Sequence, residues 1–129
     1  MKTIDVLQIT KAVERLCVEA NYFLNDDILN ALKESCKVEE SDIGRQILDQ
    51  IIANSEIARK EHMAICQDTG MAVVFVELGQ DVNITGGSLS DAINEGVRKG
   101  YKNGYLRNSV VGDPIERFNT GDNTPAVIH

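Results

Sequence analysis

The chain has no Trp, only two Pro, and an aromatic content of 5%. Binding platforms for bases stack them on aromatic rings, so that mode of recognition has little to work with here. Positive charge is also short: 13 Lys and Arg face 20 Asp and Glu, for a net charge of −7. A nucleic-acid binder would normally carry a basic face, and anionic membranes favour one too. Neither partner is expected. No apolar run approaches the ~20 residues that a membrane span needs. The start, Met1-Lys2-Thr3-Ile4-Asp5, has no apolar core and no small-residue cleavage site, so it does not read as a secretory leader. The expected location is the cytoplasm. Cysteine is scarce and odd in number, with Cys17, Cys36 and Cys66, which argues against a disulfide framework.

What is present is ordinary for a globular protein: 43% hydrophobic and 26% charged residues. The length predicts one domain over residues 1–129, and a chain of this size buries roughly two-thirds of its unfolded surface. Ile9, Val13, Leu16, Cys17 and Ala20 recur at helical spacing and predict one apolar helix face. Asn25, Asp26 and Asp27 offer caps for a short helix with Ile28, Leu29 and Leu32 inward. Ser41-Asp42 opens a third helix carrying Ile43, Ile47, Leu48, Ile51 and Ile52, which should end near His62. Met71 to Leu78 is apolar almost throughout and predicts a strand buried on both faces. Val82 and Ile84 alternate with polar neighbours, as in a short strand. Ser88-Leu89-Ser90-Asp91 resembles a capping box. The helix behind it places Leu89, Ala92, Ile93, Gly96, Val97, Gly100 and Tyr101 on one face. Gly96 and Gly100 each cost about 1 kcal/mol against Ala in a helix, so a close backbone approach is expected there. Gly104 is the expected C′ residue. The fold class is therefore α+β: a helical N-terminal half, then a small, mostly buried sheet with a packed helix.

Chemistry concentrates in two stretches. The first is Ile65-Cys66-Gln67-Asp68-Thr69-Gly70, which sets a thiol, an amide and a carboxylate side by side ahead of a strand. Cys66 can be a soft metal ligand, a nucleophile or simply core, the commonest fate of a lone Cys. His62 is placed to form a thiolate–imidazole pair with Cys66 only if the helix runs on through the motif. Zinc is not expected, because neither a C-x-x-C nor an H-x-x-x-H arrangement occurs. Cys17 belongs to the apolar face of the first helix, and Cys36 ends a short helix as a bystander. The second stretch runs from Gly104-Tyr105-Leu106-Arg107-Asn108-Ser109-Val110-Val111, through Asp113-Pro114, to Asn119-Thr120-Gly121-Asp122-Asn123-Thr124-Pro125-Ala126-Val127-Ile128-His129. Arg107 there is a clamp for a substrate carboxylate, a plain surface Arg, or one arm of a salt bridge to Asp113 or Glu116.

Across these stretches the chain resembles the alpha subunit, or N-terminal region, of the class I iron–sulfur fumarases. The related L-tartrate dehydratases share the pattern more loosely. The likeness covers essentially the whole chain, which reads as the first part of something longer. It implies that Cys66 holds one iron of a [4Fe–4S] cluster, a second iron of which acts as a Lewis acid on the substrate. It implies Gln67 as a substrate-binding residue, Asp68 as a binding or proton-transfer residue, and Arg107 as the grip on a carboxylate. In the family the other two cluster cysteines lie further along; Cys17 and Cys36 do not match them. One ligand of three is thus present, and the chain alone is expected to bind no cluster and to be inactive. The implied partners are a small dicarboxylate substrate, the rest of the alpha chain, and a beta subunit or C-terminal domain that brings the proton-abstracting base. The parent would be a homo-oligomer. The implied reaction is the reversible hydration of fumarate to (S)-malate; the alternatives are an L-tartrate dehydratase fragment, a non-catalytic interaction module or a Cys–His thiol enzyme.

Overall fold

The computed structural model describes residues 1–66 and 70–129. In chain order the elements are β1 (Lys2–Asp5), α1 (Val6–Tyr22), α2 (Asp26–Val38), α3 (Asp42–Glu61), β2 (Val73–Val74), β3 (Val82–Thr85), α4 (Leu89–Asn103) and β4 (Val127–Ile128). This is the expected α+β arrangement, with helices filling the N-terminal half. The strands form two separate parallel pairs, β1 with β3 and β2 with β4. β1 is not anticipated by the sequence, because Lys2-Thr3-Ile4-Asp5 is too short to show a period. The chain divides into two compact units, Met1–Val18 with Asp68–His129, and Glu19–Gln67.

In the first unit the core is the α1–α4 contact, where Val13, Cys17, Ile93 and Val97 form the buried cluster. The Ser88 side chain caps α4 by accepting from the Asp91 N–H at 3.4 Å. Ala92, Ile93, Gly96, Val97 and Gly100 are buried, so this face follows the expected one. The reason for two helical glycines is visible. A Cβ on Gly96 would lie 2.6 Å from Val13 Cβ and 2.7 Å from the Thr10 carbonyl oxygen; one on Gly100 would lie 2.7 Å from Cys17 Cβ. The α1 face is rotated from the expected one. Thr10, Val13 and Cys17 are buried, whereas Leu16 is 53% exposed and Ala20 is exposed. The close approach of α4 explains the shift: it favours narrow side chains, and Thr10 fits because its hydroxyl donates to the Ala92 carbonyl at 3.0 Å. Gly104 is not the left-handed residue after α4. Its φ is −86°, and Tyr105 takes the positive φ of 52° instead. Gly104 is required by space, since a Cβ there would lie 2.9 Å from the Gly100 carbonyl oxygen.

Met71 to Leu78 departs from the expected strand buried on both faces. Ala72, Val74 and Val76 pack on the core, while Met71, Val73, Phe75 and Leu78 are exposed, Phe75 by 80%. Only Val73–Val74 is regular strand, paired with Val127–Ile128. One face of this ribbon is covered and the other is open, so the period of two shows in burial although both faces are apolar.

In the second unit, α3 begins at the expected cap: the Ser41 side chain accepts from the Gly44 N–H at 3.2 Å. It ends where expected, with His62 in the left-handed conformation at φ 51°. Asn25 precedes α2 without a side-chain cap bond, while Asp27 accepts from the Ile28 N–H at 2.8 Å. No α2 residue is fully buried, and Ile28 is exposed rather than inward. On α3 the buried residues are Ser55 and Ala58; Leu48 and Ile52 are half-buried, while Ile43, Ile47 and Ile51 are exposed. No described helix is long and apolar enough to cross a membrane.

Candidate functional site

Cys66 lies just past the end of α3, in an exposed bend. Its position is set by backbone bonds within the second unit. The Cys66 N–H donates to Asn54 Oδ1 at 2.9 Å, and the Ile65 N–H donates to the Asn21 carbonyl at 2.8 Å. Asn54 stands on α3 and Asn21 in the last turn of α1. The segment before the motif is therefore tied to two helices while the thiol faces outward. His62 does not share a helical face with Cys66, since α3 stops at Glu61. Its ring instead meets Phe23 edge-on at 6.3 Å, and no hydrogen bond to Cys66 is found among the described residues. The thiolate–imidazole alternative loses its geometric basis. Gln67 and Asp68, the expected substrate and proton-handling residues, lie outside the described residues.

Arg107 belongs to the first unit and is exposed. Among the described residues it pairs with neither Asp113 nor Glu116. The Asp113 carboxylate is occupied by the N–H groups of Glu116 and Ile115, each at 2.8 Å, which hold it below the usual carboxylate range. The salt-bridge alternative for Arg107 therefore finds no partner among the described residues, while an exposed Arg107 fits a plain surface Arg as well as a clamp.

The Arg107 segment is held by a residue of the second stretch, Asn123, to which the sequence assigns no individual role. Asn123 is fully buried at 0% exposure, with a left-handed φ of 59°. Its Oδ1 accepts from the Ser109 N–H at 2.6 Å and the Val110 N–H at 3.1 Å. Its Nδ2 donates to the Gly70 carbonyl at 3.2 Å. One side chain thus joins the Leu106–Val110 stretch to the residue that closes the Cys-Gln-Asp-Thr-Gly motif. Its neighbours are fixed to α4: Arg98 Nε donates to Asp122 Oδ2 at 2.8 Å, and the Ala126 N–H donates to Asn94 Oδ1 at 2.8 Å. The Thr124 hydroxyl donates to Asp122 Oδ1 at 2.6 Å; that bond and Arg98 hold the Asp122 carboxyl down at about 2. The Ser109 hydroxyl is buried with no hydrogen-bond partner among the described residues. The signal that could have exposed Asn123 is the density of Asn, Thr and Asp between Asn119 and Thr124, too polar for a plain turn to need.

For an iron–sulfur group the donor set is uneven. Burial pushes the Cys17 thiol up to about 11, which disfavours the thiolate that binds metal. The Cys36 thiol donates to Asp49 Oδ1 at 3.2 Å, and that bond holds it protonated. Only Cys66 combines an exposed sulfur with a fastened backbone. Among the described residues, no three His, Cys, Asp or Glu side chains gather into a metal site. Among the described residues Cys66 is the cysteine best suited to a thiolate contact, and no complete donor set is present. An apolar cleft in the first unit, lined by Ile9, Val13, Val74, Phe75 and Ile93 among others, involves neither Cys66 nor Arg107.

The family described as fumarate hydratase (Fumerase) matches residues 10–129. A putative L(+)-tartrate dehydratase subunit alpha of Methanocaldococcus jannaschii is 36% identical over 126 residues, covering 94% of this chain and 44% of that protein. The anaerobic class I fumarate hydratase of Escherichia coli is 38% identical over 92 residues, covering 70% of this chain and 17% of that protein. The L(+)-tartrate dehydratase subunit alpha of Escherichia coli is 27% identical over 119 residues, covering 92% of this chain and 39% of that protein. The chain spans less than half the length of these relatives.

Proposed function

The chain belongs to the fumarate hydratase family, and on that footing we propose that it is the N-terminal part of a cytoplasmic iron–sulfur hydro-lyase that interconverts fumarate and (S)-malate. The observation that carries this reading is the Asn123 brace, which binds the Arg107 stretch to Gly70 at the end of the Cys-Gln-Asp-Thr-Gly motif. Ser109, Val110 and Gly70, distant in sequence, are thereby joined by one buried side chain within the first unit.

In this reading Cys66 supplies one thiolate to a [4Fe–4S] cluster, which when bound provides Lewis acidity toward the substrate hydroxyl. Two further thiolates come from polypeptide beyond residue 129. Arg107 takes one carboxylate of the dicarboxylate in a two-pronged, charge-assisted bond, a role suited to its exposed guanidinium. Gln67 orients the substrate. Asp68 handles a proton at the oxygen that leaves as water. The base that removes the proton from the neighbouring carbon is contributed by a beta subunit or C-terminal domain, and the parent enzyme is a homo-oligomer. The chain by itself binds no lasting cluster.

A second reading is L(+)-tartrate dehydration. It is favoured by the Methanocaldococcus jannaschii relative, which is named for that reaction and covers 94% of this chain. The test is to assemble the chain with its complementary polypeptide, rebuild the cluster anaerobically, and supply fumarate, malate and L(+)-tartrate separately. Turnover of fumarate and malate supports the first reading, and turnover of tartrate alone supports the second. A loaded cluster with no turnover of any of the three would sink both.

A further inference from the structure

We propose that the apolar cleft of the first unit is an open strand slot, filled by an extended apolar segment of the enzyme's remaining polypeptide that pairs with the free edge of the Met71–Leu78 ribbon. The inference rests on reading the chain as part of a longer enzyme. The cleft lies wholly within the first unit and has a volume of about 290 Å³. Both parallel strand pairs line it: Ile4 and Ile84 come from β1 and β3, and Val74 to Leu78 from the ribbon. Val13 of α1 and Ile93 of α4, both in the buried core, reach it from below. None of the lining residues belongs to β4, so the cleft borders the ribbon on the side that β4 does not use.

The main chain points to a strand as the occupant. The Val127 N–H donates to the Ala72 carbonyl and the His129 N–H to the Val74 carbonyl, both at 2.9 Å, and the Val76 N–H donates to the His129 carbonyl at 2.7 Å. Backbone groups of successive strand residues point to opposite edges, so those of Val73 and Phe75 face away from β4. Neither residue has a backbone partner on that edge among the described residues. The side chains point to an apolar occupant. Leu16, Phe75 and Leu78 line the cleft and are all exposed, a contiguous apolar patch of the kind that marks an interaction surface. Parallel strands are normally covered on both faces, and an isolated pair is marginal; here the parallel strands come as two separate pairs that share the cleft. A strand laid there would give the ribbon a third member and cover Leu16 and Phe75 together. The source of the segment follows from length. The match takes in only 44% of the Methanocaldococcus jannaschii relative, so a protein of this family holds further polypeptide long enough to supply it.

The test reads backbone and side chains separately. Residue-resolved hydrogen exchange is recorded on the chain alone and on its complex with the complementary polypeptide. In the complex the Val73 and Phe75 amides should exchange about fivefold more slowly or better, the effect of one new hydrogen bond each. The Val76 amide, already bonded to the His129 carbonyl, is the internal reference. Leu16→Lys and Phe75→Lys alter exposed side chains, so the chain should still fold. Each should weaken association by about tenfold to over a hundredfold, the effect of leaving a large apolar side chain without its cover. Leu7→Lys, also exposed but outside the cleft, should associate as wild type does. Exchange in wild-type protein carries the test if a variant unfolds. Association that leaves the Val73 and Phe75 amides unchanged would overturn the strand, whatever the variants do. Slowing of those amides in the chain alone, growing with its concentration, would give the cleft to a second copy and overturn the proposal as well. A wild-type chain that associates with no complementary polypeptide would instead remove the longer-enzyme reading beneath it.

Discussion

Arg98 on α4 donates through Nε to Asp122 Oδ2 at 2.8 Å, and its other prong reaches Glu95 one turn earlier on the same helix. This joins the polar tail to the best-packed helix of the chain. It gives the tail a pH dependence of definite sign. The Thr124 hydroxyl and then Arg98 lower the Asp122 carboxyl from 3.8 to about 2. A depressed folded-state value means that the stabilisation is present above 3.8 and disappears as pH falls through about 2. Asp122→Asn should cost about 1 kcal/mol near neutral pH, the upper range for a partly exposed ion pair. Denaturant unfolding at several pH values should show wild type and variant converging in acid. Parallel curves down to pH 2 would mean that the Asp122 charge contributes nothing.

Gly96→Ala tests the α1–α4 contact. Helix propensity alone favours Ala by about 1 kcal/mol. The new methyl would sit 2.6 Å from Val13 Cβ and 2.7 Å from the Thr10 carbonyl oxygen, and backbone has to move to make room. Overpacking of this kind costs roughly 1–3 kcal/mol, and a strained helix pair should exceed the propensity gain. The melting temperature should fall by several degrees. A rise would show that the two helices part easily.

The three thiols should react in a fixed order. Cys66 is exposed, Cys36 is half-buried and bonded to Asp49, and Cys17 is buried with its thiol pushed up to about 11. Iodoacetamide near pH 8, followed by mass spectrometry over time, should label Cys66 first and Cys17 last. Labelling of Cys17 ahead of Cys66 in folded protein would contradict the packing of α1.

In the assembled enzyme, Arg107→Ala, Asp68→Asn and Cys66→Ser should fail differently. Loss of a charge-assisted bond costs roughly 1.5–3 kcal/mol, so Arg107→Ala should raise KM by about tenfold to over a hundredfold. Asp68→Asn keeps the shape but not the proton chemistry, and should lower kcat more than it raises KM. Both should keep their iron, whereas Cys66→Ser should lose it. Iron content measured beside steady-state kinetics decides. A cluster-free Asp68→Asn protein would move that residue from chemistry to scaffolding.

Much of the fold is legible in the sequence where periodicity and caps agree. Ser41 and Ser88 both cap the helices that follow them, and the α4 face is readable because Gly96 and Gly100 only make sense against a neighbour. Burial is less legible. Ile43, Ile47 and Ile51 have the spacing of a core face yet stand exposed, since apolar spacing tells which residues could be covered and not what covers them. Leu16 and Thr10 exchange places because a tight helix pair selects for width and a hydroxyl can satisfy a carbonyl. Of the proposed site, the motif words suggest Cys66, Gln67, Asp68 and Arg107. They do not name Asn54, which accepts one backbone N–H, or Asn123, which makes three bonds to backbone, because such bonds leave no spacing rule behind.

The two parallel strand pairs have a cost in time. β1 meets β3 across about eighty residues, and β2 meets β4 across more than fifty. At a ribosomal rate of about 5–20 residues per second, the first strand waits roughly 4–16 seconds for its partner to be made. Such high contact order slows folding, because distant ends must meet before any bond rewards them. The Met71–Leu78 ribbon in turn waits roughly 3–11 seconds for β4 at the same rate. Until Val127 and Ile128 arrive, the apolar side chains of this ribbon have no strand partner.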